Sequence, residues 1–143
     1  MKSILLIFSV LFICACSSNT TAPDTANKVI GKWKLVAQLQ DPGDGSGTFQ
    51  PIDSARVIEF FDDGTIAVNG VLCIMSSEVG SRETGVYMLI TDSNNDTQND
   101  GEIIPNTCTS RSAKVFFDLP ENNNLILWYQ CIEACGQKFE KIN

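Results

Sequence analysis

The sequence contains no histidine. That removes at once the side chain most often used as a general base near neutral pH and the commonest protein ligand for zinc. Cations are also scarce: ten Lys and Arg stand against seventeen Asp and Glu, for a net charge of −7. So acidic a chain has little electrostatic means of holding nucleic acid or of docking on anionic lipid. Long apolar runs are missing too. The run at residues 4–13 is about half the length that a membrane-crossing helix requires. From residue 29 onward no helical period survives. Short alternating runs broken by Gly, Asn, Asp and Pro remain, which is the pattern of an all-β domain.

What is present begins at the N-terminus. Lys2 precedes the apolar residues 4–13, and Ile13-Cys14-Ala15-Cys16 follows, leading into the polar Ser17-Ser18-Asn19-Thr20-Thr21. A basic start, a short apolar core and a small residue at its end are the three parts of a secretory signal. The cysteine directly after Ala15 resembles the lipobox of bacterial lipoproteins. That resemblance implies removal of residues 1–15 and lipidation of Cys16 with palmitate-type acyl chains, hence a protein anchored in the cell envelope. Ser17 in the next position, rather than Asp, points by the same resemblance to the outer membrane. Loss of Lys2 leaves the mature chain still more acidic, so attachment rests on the acyl chains, each buried methylene contributing about 0.8 kcal/mol. Residues 16–28, rich in Ser, Thr, Asn, Pro, Asp and Ala, read as a flexible tether. Extended, it reaches about 40 Å. Residues 29–143 are room for one domain, of a size that buries roughly two thirds of its unfolded surface.

Within that domain, residues 31–40 place Trp33, Leu35, Ala37 and Leu39 on one face and Lys32, Lys34 and Gln38 on the other. Asp41-Pro42-Gly43-Asp44-Gly45-Ser46-Gly47 is a loop. Residues 56–61 and 65–70 flank Asp62-Asp63-Gly64. A three-residue turn with Gly64 left-handed gathers Ile58, Phe60, Ile66 and Val68 on one face, which a two-residue turn would not do. Residues 84–91 form a fourth strand with Val86, Met88 and Ile90 on one side. Residues 102–108 form a fifth, weakened by Pro105. Residues 112–119, 124–130 and 137–142 complete the set, the seventh carrying Leu125, Leu127 and Tyr129 opposite Trp128. Eight short strands joined in sequence predict an antiparallel up-and-down barrel, with a β-sandwich as the alternative.

Gly31-Lys32-Trp33 at the start of the first strand resembles the G-x-W that opens lipocalins. The Gly-rich loop, Ile58-Glu59-Phe60, Asp63-Gly64-Thr65 and the final Cys131-Ile132-Glu133-Ala134-Cys135 before Phe139 extend the likeness over most of residues 29–142. The set is similar to the small lipocalin-like lipoproteins of bacterial envelopes. The resemblance implies an eight-stranded barrel in the envelope. Two features of the large secreted lipocalins are missing: a Thr-Asp-x-x-Tyr element and an Arg on the last strand to close against Trp33.

Four cysteines lie outside the leader: Cys73, Cys108, Cys131 and Cys135. In an exported chain they predict two disulfides, with three connectivities possible. Strand direction places all four at the barrel end away from the tether and favours Cys73–Cys108 with Cys131–Cys135, contributing about 4 and about 2 kcal/mol by loop entropy. A four-cysteine zinc site is the rival, disfavoured where thiols are oxidised. Asp92-x-Asn94-x-Asp96, with Asp100 and Glu102, has the spacing of a calcium loop, but Thr97 stands where the turn requires Gly. The stretch reads as a solvated loop, and no metal or cofactor is expected. Trp33, Phe60, Phe117 and Leu127 either line a cavity for a small apolar or amphipathic ligand or fill the core. No base and nucleophile are paired, so no enzyme is expected.

Two functions remain. One is a lipocalin-like module binding a small ligand at the disulfide-bearing mouth. The other is a structural lipoprotein with a solid barrel whose loops contact another envelope component. Interior volume separates them, because a ligand site requires at least about 300 Å³.

Overall fold

A computed structural model describes residues 24–90, 99–109, 113–120 and 122–142. One short helix, α1 (Asp24–Val29), precedes nine strands: β1 (Gly31–Gln40), β2 (Gln50–Pro51), β3 (Val57–Phe60), β4 (Thr65–Asn69), β5 (Arg82–Leu89), β6 (Gly101–Pro105), β7 (Val115–Asp118), β8 (Asn124–Trp128) and β9 (Cys135–Ile142). From β3 to β9 each strand pairs antiparallel with the next. β1 pairs with β3 on one side and β9 on the other, so the sheet closes on itself. This is the eight-stranded up-and-down barrel; a sandwich would leave two open sheets. β2 is an addition. It takes over the edge of β1 where β3 leaves it, Ala37 facing Pro51 and Gln38 facing Gln50.

Alternation fixes the register. Phe60 faces Ile66 and Ile58 faces Val68, and Gly64 has φ +81°, as the three-residue turn requires. Asp63 steadies that turn by accepting from the amide and hydroxyl of Thr65 at 2.9 and 2.6 Å. β1, β3, β7 and β8 all turn the expected faces inward, Trp33, Ile58, Phe117, Leu125 and Leu127 being almost wholly buried.

Three features depart from the sequence reading. First, the end of the stretch read as a tether is helical. Six residues are too few for a helix to stand alone, but Val29 is fully buried and its carbonyl accepts the Trp33 indole N–H at 2.8 Å. Docking holds α1. Second, the Val86 and Met88 face of β5 points outward, the two being 42% and 50% exposed. The inward places go to Gly85 and Tyr87. The Tyr87 ring packs 5.1 Å from Phe60, and its hydroxyl donates to the Phe61 carbonyl at 2.8 Å. A Cβ on Gly85 would lie 2.7 Å from the Ile104 carbonyl oxygen, so the wall admits only glycine there. Third, β6 stops at Pro105 instead of residue 108: proline offers no N–H, and one further bond, from the Asn106 amide to the Thr84 carbonyl at 2.9 Å, follows it.

The two tryptophans divide as alternation predicts. Trp33 is 1% exposed and covers the end of the barrel where β1 begins. Trp128 lies on the outer wall over Gly136, whose added Cβ would meet the ring at 2.8 Å. Its indole N–H donates to Asp118 Oδ2 at 2.7 Å, and Phe49 packs on it at 5.9 Å. Truncating Trp33 to Ala should cost about 3–5 kcal/mol, a large share of the roughly 5–15 kcal/mol that a domain possesses. Trp128→Ala should cost clearly less. Urea midpoints of the two variants check this, and the reverse order would refute the inside–outside assignment of β8.

Candidate functional site

Two ends of the barrel are distinguishable. The near end holds α1, the β3–β4 turn and residues 119, 120, 122 and 123. The far rim holds residues 41–49, 70–81, 106–109, 113–114 and 129–134. Of the four side chains considered for a ligand, Phe60 and Phe117 stack edge to face at 5.6 Å in the middle of the barrel. Leu127 is fully buried beside them in the same core cluster. Only Trp33 borders a pocket, a niche of about 70 Å³ with Lys28, Leu119 and Asn123. The larger pockets, about 270, 280 and 350 Å³, lie on the far rim, at the residue 122–124 turn and on the outer wall. All four candidates therefore fill the core.

The far mouth is shut by residues 70–80, and the fastening is polar. Arg56 is wholly buried, yet no carboxylate pairs with it among the described residues. One of its terminal nitrogens donates to the Val71 carbonyl, the other to the Glu78 carbonyl at 3.5 Å, and Nε–H has no partner. Gln137, equally buried, donates to the Ser76 carbonyl at 2.8 Å, and Ser54 to that of Ser77 at 2.7 Å. The Tyr129 hydroxyl donates to Gln137 Oε1 at 2.6 Å. Burial pushes that phenol up to about 12, against the opposing pull of the nearby guanidinium, so it stays a donor at any physiological pH. From above, Leu72 is fully buried as the apolar pin of this lid. Four lid carbonyls are thus held by three side chains rising from the barrel floor, which satisfies backbone groups that burial would otherwise leave unpaired.

Both disulfides join the expected partners. Cys73 and Cys108, 5.6 Å apart at Cα, tie the lid to the chain leaving β6. Cys131 and Cys135, 6.1 Å apart, close the β8–β9 turn. Pairing uses all four sulfurs, and no thiolate is left for zinc. Beside this turn the Gly-rich loop wraps around one carboxylate. Asp41 accepts the amides of Gly43, Gly45 and Gly47 at 2.7, 3.1 and 2.8 Å, and the Gly47 amide first among them holds its carboxyl below the usual carboxylate value. A Cβ on Gly47 would meet the Asp41 Cα at 2.8 Å. The loop closes only with glycine in that place.

At the near end, the position that lacks an arginine is served by Lys141. Its ammonium sits 5.1 Å from the centre of the Trp33 ring and donates to the Lys28 carbonyl at 2.9 Å. Gly31, with φ +123°, lets the chain turn beneath this side chain. Of the calcium-like stretch, Asp92, Asn94, Asp96 and Thr97 lie outside the described residues. Asp100 accepts the Leu119 amide at 2.6 Å, and Glu102 is ion-paired to Lys114 at 2.8 Å, so both are engaged within the wall. Cys16 also lies outside the described residues.

The sequence reading missed the polar fastening. A signal for it existed: Arg56 shares parity with Ile58 and Phe60, Gln137 with Phe139, and Tyr129 with Leu127, so each continues an inward face past the end of its apolar run. In comparisons with known proteins, the chain matches no protein-family model and no curated sequence.

Replacing Arg56 with Met keeps the volume and removes the buried charge. The overall urea midpoint should fall, since the Val71 and Glu78 carbonyls lose their donor and each buried group left unsatisfied costs about 1–3 kcal/mol. Amide exchange across residues 71–79 should quicken by about tenfold or more, the worth of hydrogen bonds to a charged group. Unchanged exchange there would show that the guanidinium does not hold the lid.

Proposed function

We propose that this chain is a non-catalytic lipoprotein of the bacterial cell envelope, a solid barrel that holds its far rim towards another envelope component. The observation that carries this reading is the filled interior. Trp33, Phe60, Phe117 and Leu127, the side chains considered for a ligand, are at most 1% exposed, and the far mouth is fastened from within. A site for a drug-sized apolar ligand requires at least about 300 Å³ of concave space, and the niche that Trp33 borders among the described residues has about 70 Å³. The ligand-binding alternative is therefore the less favoured one.

The anchoring half of the proposal rests on the sequence, on the leader that ends in Ile13-Cys14-Ala15-Cys16. No helix among the described residues is long and apolar enough to cross a membrane, and the attachment proposed is the acyl group on Cys16. The tether would join the barrel at its near end, because α1 leads directly into β1. The far rim would then point away from the membrane.

Replacing Cys16 with Ser should shift the protein from the membrane fraction into a soluble envelope fraction. A variant that still sediments with membranes after a high-salt wash would refute the lipid anchor.

A further inference from the structure

We propose that the far rim is a docking surface for a cationic polypeptide segment bearing one apolar anchor residue. The inference rests on the interaction reading above and supplies the chemistry of the partner.

Exposed apolar side chains collect at this end. Ile132 is fully exposed, and Ile74 and Val79 are 62% and 52% exposed. All three lie in loops of the far rim, while the interior of the barrel is packed. Of these, Ile132 shares a groove with Met75, and apolar groups that meet at the surface under a polar border mark a binding site. Between the two loops runs a groove of about 270 Å³, lined by Gln40, Asp41, Met75, Ile132 and Glu133 beside the Cys131–Cys135 bridge. That volume falls below the roughly 300 Å³ at which small-molecule sites begin, and it suits the insertion of a single side chain.

The loops are rigid before any partner arrives. Each carries a disulfide, and Arg56, Ser54 and Gln137 hold the carbonyls of residues 71–78 from below. A surface already ordered loses little conformational entropy on binding.

Charge selects the occupant. The loops that border the groove, residues 41–49, 70–80 and 131–134, contain Asp41, Asp44, Glu78 and Glu133 and no Lys or Arg. Cations at this end lie outside them: Lys114 paired to Glu102, Lys138 over the Phe49 ring, and Arg82 at the start of β5. A second copy of this chain would bring the same carboxylates against themselves, and anionic lipid would be repelled likewise. A segment with Lys or Arg on both sides of a Leu- or Met-sized residue satisfies both features, the cations on Asp41 and Glu133 and the apolar group between Ile132 and Met75. The rim also stands at the end of the barrel opposite α1, where a partner meets no obstruction from the tether.

The test uses the full chain, isotopically labelled, and three synthetic peptides: Gly-Lys-Arg-Leu-Arg-Lys-Gly, its charge-reversed form Gly-Glu-Asp-Leu-Asp-Glu-Gly, and a cationic form with Gly in place of Leu. The first peptide should shift the amides of residues 74–76 and 131–134 saturably. Its affinity should fall by about tenfold or more with either control peptide, and also in about 0.5 M salt. Ile132→Asp should weaken it as much, and Glu133→Lys should do so independently, so the result does not hang on one variant's folding. Absence of saturable shifts, equal binding of the charge-reversed peptide, or shifts centred elsewhere would overturn the proposal. So would self-association of the chain through these same amides. Any of these outcomes alongside release of Cys16→Ser from membranes would sink the docking surface and leave the envelope reading standing.

Discussion

Closure of the sheet through the β1–β9 seam governs the rest of the molecule. Lys32 faces Ile142 and Gln40 faces Cys135, the most extensive register in the barrel. With eight principal strands, closure leaves an interior just wide enough for side chains. Short strands make that limit stricter: β3 and β7 have four residues each, so each offers two inward positions. Trp33, Phe60, Tyr87, Phe117 and Phe139 then supply the large rings of an interior filled out by Leu35, Ile58, Ile66, Ile103, Leu125 and Leu127.

The two ends are finished in different ways. The near end uses local chain and aromatic packing: α1 docks through Val29, the Trp33 indole holds its carbonyl, and Lys141 lies over the ring. The far end uses buried polar groups under a lid of irregular backbone. An irregular segment laid across a core has carbonyls that need donors, and Arg56, Gln137 and Ser54 are those donors. A guanidinium is suited to this work because it presents several N–H groups in a fixed fork. The two disulfides add covalent ties where there is no regular structure to resist opening. What this arrangement leaves on the outside is a rigid rim with apolar tips and carboxylates.

Much of this was legible in the sequence. Parity gave the inward faces of β1, β3, β4, β7 and β8, and the Gly64 turn followed from requiring one apolar face. Strand direction gathered the cysteines at one end, because Cys73, Cys108 and Cys131 end strands that run the same way, and favoured the pairing that the structure shows among three that were open. Three things were hidden. α1 is too short to show a period and exists because it docks. On β5 the apolar residues Val86 and Met88 on one face match Tyr87 and Leu89 on the other, so parity does not choose, and the tight approach at Gly85 goes with the inward face. The closed mouth left only a faint mark, since a lid held by its carbonyls shows little more than the buried Leu72 in its own side chains. Arg56 and Gln137 did continue inward faces, but a charged or amide residue at the end of a strand ordinarily reads as solvated.

The central claim is that the barrel interior is full and closed in the native state. Titration of the native protein with the apolar fluorophore N-phenyl-1-naphthylamine tests it directly. The account predicts no saturable fluorescence enhancement until denaturant unfolds the chain. A stoichiometric, saturable enhancement in the native state, quenched by Phe60→Trp or Phe117→Trp filling the interior further, would contradict it and restore the ligand-binding barrel.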